Sequence, residues 1–119
     1  PVTRRVISAA AAHTLAKMMV GVVNDPGGEG KKARIPGYSM EIAGKTGTAQ
    51  VALPNGKGYG NNVVASFVGF MPATNPQFTM MVILNDPQVP LSTRFGSLLA
   101  APIWKQVAEM MIDAWRIEP

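Results

Sequence analysis

Apolar residues recur at Ile7, Ala11, Leu15, Met18 and Val22, a three-to-four-residue spacing that predicts a helix from about Ser8 to Asn24 with those side chains on its buried face. His13, Lys17 and Asn24 fall on the opposite side, and the Ser8 hydroxyl can cap the first turn. Asn24-Asp25-Pro26-Gly27-Gly28 stops the helix, and a Gly- and Lys-rich loop runs to Gly37. A strand is expected over Met40–Leu53, broken by Pro54-Asn55-Gly56. After a Gly/Asn-rich connection to Asn62 a second strand covers Val63–Met71, and Pro72-Ala73-Thr74-Asn75-Pro76 makes a turn. The third strand, Phe78–Leu84, is an unbroken apolar run, which suits a strand covered on both faces. Asn85-Asp86-Pro87 ends the sheet. A long helix, Arg94–Arg116, follows, with Leu99, Ile103, Val107, Met110 and Ala114 as its expected buried stripe and Lys105, Glu109, Asp113 and Arg116 as its wet stripe. Pro102 predicts a kink or a late start, and Trp104, Met111 and Trp115 read as packing residues. Helix, three-stranded antiparallel meander, helix is an α+β order, but three short strands make a thin core, so further strands are expected from elsewhere.

The chain has 119 residues, which allows one domain at most. Hydrophobic residues at 47% and charged residues at 15% exclude a disordered tail and are rather apolar for a free-standing domain; a piece that buries surface against a partner half would look like this. The net charge of +4 is scattered except at Lys31, Lys32 and Arg34, and no aromatics interleave those cations as base stacking requires, so nucleic acid is not expected as a partner. With no Cys and one His, neither thiolate chemistry nor a metal-ligand cluster is available. No signal peptide or long apolar run is present, and the chain opens on Pro1 without an initiator Met, so it reads as a processed product or a piece.

Candidate chemistry concentrates in Gly44-Lys45-Thr46-Gly47-Thr48-Ala49-Gln50. A phosphate loop would need a Gly five residues before Gly44, where Ser39 stands, and a helix after Lys-Thr, where Thr48–Leu53 reads as strand. The alternative is the Lys-Thr-Gly strand of penicillin-binding and β-lactamase chemistry. Alternation puts Thr46 and Thr48 on one face and Lys45 on the other, so a site using all of them must lie along the strand's open edge. A peptide-like ligand would then bind as an added strand, with Gly44 and Gly47 clearing its approach. The triplet alone equally suits an ordinary edge strand with a surface lysine.

The surroundings are more specific. Val6-Ile7-Ser8, Met18 to Val23, Ile35-Pro36-Gly37-Tyr38, Ala43 to Gln50, Ala65 to Phe70, Pro76, Asn85-Asp86-Pro87 and Ala101-Pro102-Ile103 together closely resemble the class B penicillin-binding proteins. Ile117-Glu118-Pro119 is similar to their septal, division-specific penicillin-binding protein 3 type. The resemblance implies that residues 1–119 are the C-terminal part of a penicillin-binding transpeptidase domain, a fragment of the β-lactamase/transpeptidase-like fold whose antiparallel sheet is covered by helices. In that family acyl transfer also uses Ser-x-x-Lys and Ser-x-Asn motifs. Of Ser8, Ser39, Ser66, Ser92 and Ser97, none has Lys three residues on or Asn two residues on, so both motifs are expected upstream of Pro1.

By resemblance, Lys45 supplies positive charge beside the Ser-x-Asn serine. The Thr46 and Thr48 hydroxyls hold the carboxylate of the donor peptide or of a β-lactam. The Thr48 N–H forms half of the oxyanion hole, and Gly47 allows close approach. His13, Glu29, Glu41 and Tyr59 are weaker candidates: the two glutamates as deacylation bases that nothing in the sequence places, Tyr59 as a cleft-rim residue. The implied ligands are peptidoglycan stem peptides and β-lactams, with the upstream half of the domain and cell-division proteins as partners and no cofactor. The implied place is the periplasmic face of the bacterial cell membrane, anchored by a segment outside this chain, with a role in cell shape and division. The fragment alone is expected to be inactive. The rivals are a D,D-carboxypeptidase or β-lactamase of the same fold, a non-catalytic penicillin-binding module, and a nucleic-acid binder.

Overall fold

The computed structural model of the chain describes residues 3–38 and 41–118. Helix α1 spans Ala9–Asn24 and is capped as expected: the Ala11 N–H donates to Ser8 Oγ at 3.1 Å. Its buried face differs from the expected one. Leu15 and Met18 are 51% and 66% exposed, whereas Val23 is fully buried and Ala16, Met19 and Val20 are half-buried. The helix carries two apolar stripes at the same spacing, and the packed one is Ala16-Met19-Val20-Val23. A turn of 3-10 helix, Lys31–Ala33, follows and places Ala33 in the core.

Strands β1 (Ala43–Ala52), β2 (Tyr59–Met71) and β3 (Phe78–Asn85) form the expected antiparallel meander in the order β1-β2-β3. The expected start of the first strand at Met40 lies outside the described residues. β2 begins at Tyr59 rather than Val63, because Tyr59 pairs with Ala52 across a register shift and the hairpin carries the Gly/Asn stretch into the sheet. The tip is closed by Leu53 N–H to Gly58 O at 3.0 Å and Gly56 N–H to Leu53 O at 2.9 Å. Gly56 and Gly58 sit at φ +69° and +88°, the left-handed region that glycine adopts without strain.

Helix α2, Gly96–Trp115, lies on one face of the sheet. Its buried row is Gly96, Ala100, Trp104, Ala108 and Ile112, with Ala101 beside it, and not the expected Leu99-Ile103-Val107-Met110-Ala114 stripe. Ile103, Val107 and Met110 are 39%, 37% and 70% exposed. Gly96, Ala100 and Ala108 let the helix axis approach the sheet closely around the large Trp104 ring, so this row packs in place of the expected stripe. Pro102 lies inside the helix and does not delay its start. Trp104 is fully buried, edge-on to Phe67 at 5.5 Å, and donates from Nε1 to Met80 O at 3.0 Å. Trp115 packs edge-on to Phe78 at 5.9 Å yet stays 56% exposed.

One core cluster joins Val23, Ala33, Ile35, Ile42, Phe67, Met71 and Phe78 to the buried row of α2. All of it lies on the helix side of the sheet. The other side is open at β3, where the strand alternates and Met81 and Ile83 are 54% and 56% exposed, while Val64, Val68 and Phe70 of β2 are half-buried there. The apolar run of β3 is thus covered on one face by this chain, where cover on both was expected.

Candidate active site

β1 pairs with β2 along one edge and has no strand on the other among the described residues. Its alternation is as read: Thr46 and Thr48 oppose Phe67 and Ala65 on the helix side, and Lys45 opposes Val68 on the other side. The Lys45 side chain then curls over the open edge. Its Nζ donates to the Thr46 carbonyl at 2.9 Å and to Thr46 Oγ1 at 3.3 Å. A strand residue sends its N–H and C=O to the same edge, and its neighbours send theirs to the other. Because the Thr46 carbonyl meets Lys45 on the unpaired edge, Thr48, two residues on, presents its N–H there as well.

The two threonines differ in their partners. Thr46 is 9% exposed, and its hydroxyl donates to Glu29 Oε2 at 3.0 Å. Thr48 is exposed, and its Oγ1 accepts the Gly96 N–H at 3.1 Å. That bond satisfies one of the orphan amides at the start of α2, where Phe95 offers no side-chain cap. Gly96 stands directly over the rung where Gly47 opposes Ser66. A side chain there would run into the backbone carbonyls of both residues. The N-terminus of α2 therefore backs the strand at Thr48.

The approach to α2 is fixed by Arg94, which donates from Nε to Val89 O at 2.7 Å and from Nη1 to Asn61 O at 3.2 Å. The same Nη1 lies 3.7 Å from Asp86 Oδ1, a buried oxygen with no hydrogen-bond partner of its own, while Asp86 Oδ2 accepts from Asn62 at 3.1 Å. A groove of about 310 Å³ opens here, lined by Thr48, Gln50, Asn61, Val63, Leu91, Arg94 and Phe95. A larger hollow of about 540 Å³ between α1 and the Ala73-Thr74 turn includes His13 and borders none of Lys45 to Thr48. Chemistry rather than size selects the first.

The weaker candidates separate. Glu41 accepts from Thr74 Oγ1 at 3.3 Å, turned to the β2–β3 connection. Tyr59 is 68% exposed at the far end of the hairpin, opposite Ala52. Glu29 alone reaches the Lys-Thr-Gly strand. The glycines also have reasons other than ligand access. A Cβ on Gly44 would collide with the Phe67 ring, and one on Gly47 would come within 2.5 Å of Ser66 Oγ. Sequence reasoning missed Gly96 and Arg94. Only a glycine opening the last helix and a cation ahead of it stood as signals, and their partners lie far away along the chain.

The family model described as "Penicillin binding protein transpeptidase domain" matches residues 1–109. The chain is 38% identical over 117 residues to the peptidoglycan D,D-transpeptidase FtsI of Buchnera aphidicola, covering 98% of this chain and 19% of that protein. Its structure superimposes on the apo transpeptidase domain of penicillin-binding protein 3 from Burkholderia pseudomallei with a TM-score of 0.83 and 31% identity, covering 100% of this chain and 34% of the other. The ampicillin complex of penicillin-binding protein 3 from Mycobacterium tuberculosis matches at TM-score 0.81 and 32% identity, over 99% and 27% of the two chains. The chain spans about a fifth of the length of the curated relative it matches.

Proposed function

The chain belongs to the penicillin-binding protein transpeptidase domain family, and on that premise we propose that it is the C-terminal part of a peptidoglycan D,D-transpeptidase whose nucleophilic serine lies upstream of Pro1. The single observation that carries the reading is the open edge of β1, which has no partner strand among the described residues and carries the Lys45 ammonium on the Thr46 carbonyl, with the exposed Thr48 two residues further on. A stem peptide ending in D-Ala-D-Ala would lie along that edge. The upstream serine would attack the penultimate carbonyl, and the Thr48 N–H would hold the developing oxyanion. The terminal D-Ala would leave, and an amine of a neighbouring stem would take the acyl group and release the serine. Lys45 would favour the proton transfers by its charge. Losing one oxyanion donor costs ~2.7–4 kcal/mol of barrier. A β-lactam would stop at the acyl-serine. Of the solved relatives, the Mycobacterium tuberculosis protein is complexed with ampicillin and, in another structure, with aztreonam.

The similarity to FtsI and to penicillin-binding protein 3 supports a septal role, with cell-division proteins as partners. Among the described residues no helix is long and apolar enough to cross a membrane. The proposed place of work is the periplasmic face of the bacterial cell membrane, with the anchor in a segment outside this chain. The experiment is turnover of a D-Ala-D-Ala stem peptide by the complete protein with an added amine acceptor. Release of D-Ala together with the amide-linked dimer supports transpeptidation. D-Ala release with the hydrolysed tetrapeptide alone makes it a D,D-carboxypeptidase, and no release at all makes it a non-catalytic penicillin-binding module.

A further inference from the structure

Glu29 stands in the loop after α1, outside the Lys-Thr-Gly strand, yet its carboxylate is the hydrogen-bond acceptor for Thr46. We propose that Glu29 divides the work of the two threonines, so that Thr48 alone donates to the anionic end of the ligand while Thr46 serves to hold Lys45. The inference rests on the transpeptidase reading and adds a specificity-determining residue to it.

A hydroxyl has one proton to give. Thr46 gives its proton to Glu29 Oε2 at 3.0 Å, and both its oxygens face Lys45, the carbonyl at 2.9 Å and Oγ1 at 3.3 Å. The result is a chain that runs from the Lys45 ammonium through the Thr46 hydroxyl to the Glu29 carboxylate. In it the Thr46 proton is committed to Glu29, and two of the three Lys45 donors are committed to Thr46. Thr46 is also buried, with 9% of its surface exposed. A ligand carboxylate approaching it would meet an occupied hydroxyl with a like charge behind it, and like charges at that range repel.

Thr48 has the opposite disposition. Its oxygen accepts from the Gly96 N–H at 3.1 Å, which leaves its proton free, and its side chain is exposed beside the groove lined by Gln50, Arg94 and Phe95. An amide donating into a hydroxyl oxygen polarises its O–H and makes it a better donor. The Glu29 loop is held where the carboxylate can do this. The Gly30 N–H donates to Val22 O at 2.9 Å, and a Cβ on Gly28 would strike the Val22 carbonyl, so the loop packs down on the end of α1.

The test uses the complete protein and two probes: a fluorescently labelled penicillin, and the same molecule with its carboxylate converted to a carboxamide. The readout is the ratio of their acylation rate constants. Thr48→Val is expected to lower the ratio by about tenfold or more, the usual size for a hydrogen bond to a charged group. Thr46→Val and Thr46→Ser are expected to leave it near the wild-type value. Glu29→Gln removes the negative charge and offers an amide donor to Thr46 Oγ1, which frees the Thr46 proton. The ratio should then rise several-fold, and Thr46→Val in that background should abolish the rise. A loss of packing alone would slow both probes equally and leave the ratio unmoved. A ratio that falls as far in Thr46→Val as in Thr48→Val, or that ignores Glu29→Gln, overturns the proposal. Because Glu29 is exposed, Glu29→Gln with Thr46→Ser decides the matter even where Thr46→Val does not fold. A wild-type protein that takes up neither probe overturns the transpeptidase reading itself.

Discussion

Thr48 presents two separable groups. Its backbone N–H faces the open edge of β1, and its hydroxyl oxygen accepts the Gly96 N–H; on the proposed reading the first would hold the oxyanion and the second would donate to the ligand. Thr48→Val in the complete protein should therefore slow acylation by penicillin mainly through weaker binding, since the N–H survives. Lys45→Met removes the one ammonium bonded to Thr46 and should cost more, on the order of a hundredfold if proton transfer limits the rate. Stopped-flow acylation rates check both, and a Lys45→Met rate equal to wild type would contradict the role given to Lys45. Gly96→Ala should destabilise the complete protein by about 1–3 kcal/mol in urea, because the methyl meets backbone carbonyls that cannot turn away. The motif was legible from Gly44 to Gln50 alone, since residue types and alternation suffice to put a lysine and two threonines at a strand edge. Glu29 and Gly96 were not legible as site residues. Their contacts to Thr46 and Thr48 span 17 and 48 positions, and no local periodicity encodes such a pairing.

Element order was readable because Pro, Gly and Asn punctuate every junction, and the ends fell within a few residues of those expected. Which face each helix buries was not. α1 and α2 each carry two apolar stripes at helical spacing, and spacing alone does not choose between them. Pairing across the sheet likewise recruited Tyr59–Asn62, a stretch of poor strand propensity, into β2. The stripes left bare are informative in turn. Met81 and Ile83 on the outer face of β3, and Leu15 and Met18 on α1, have no cover from this chain. If the rest of the domain covers β3, Ile83→Asp should destabilise the complete protein by more than about 2 kcal/mol, the cost of burying an unpaired charge. A truly exposed position would change stability by less than ~0.5 kcal/mol. Chemical denaturation of the full-length variant separates the two.

At the scale of the molecule, the chain is more open than its length warrants. Its radius of gyration is 15.9 Å, against about 13.5 Å for a compact domain of this length. Its accessible surface is 7776 Å², against about 6200 Å² for a folded monomer of this mass. That excess, on one chain alone, is about twice the roughly 800 Å² that each partner contributes to a standard protein–protein interface. Among the described residues Leu15, Met18, Met81 and Ile83 are bare, and both outer strands have unpaired edges. Residues 1–119 purified alone should therefore aggregate or remain molten, with weak near-UV circular dichroism and no sharp thermal transition, and should fold when supplied with the upstream half. A monodisperse monomer with a cooperative transition would instead make the chain an independent module. The most direct measurement is the position of the penicillin adduct. The complete protein is labelled with penicillin, digested, and its acylated peptide identified by mass spectrometry. One stoichiometric adduct is expected, on a serine outside residues 1–119 and followed three positions later by lysine. An adduct on Ser8, Ser39, Ser66, Ser92 or Ser97, or no adduct anywhere on a folded protein, would contradict the assignment of this chain as the Lys-Thr-Gly wall of an acyl-serine enzyme.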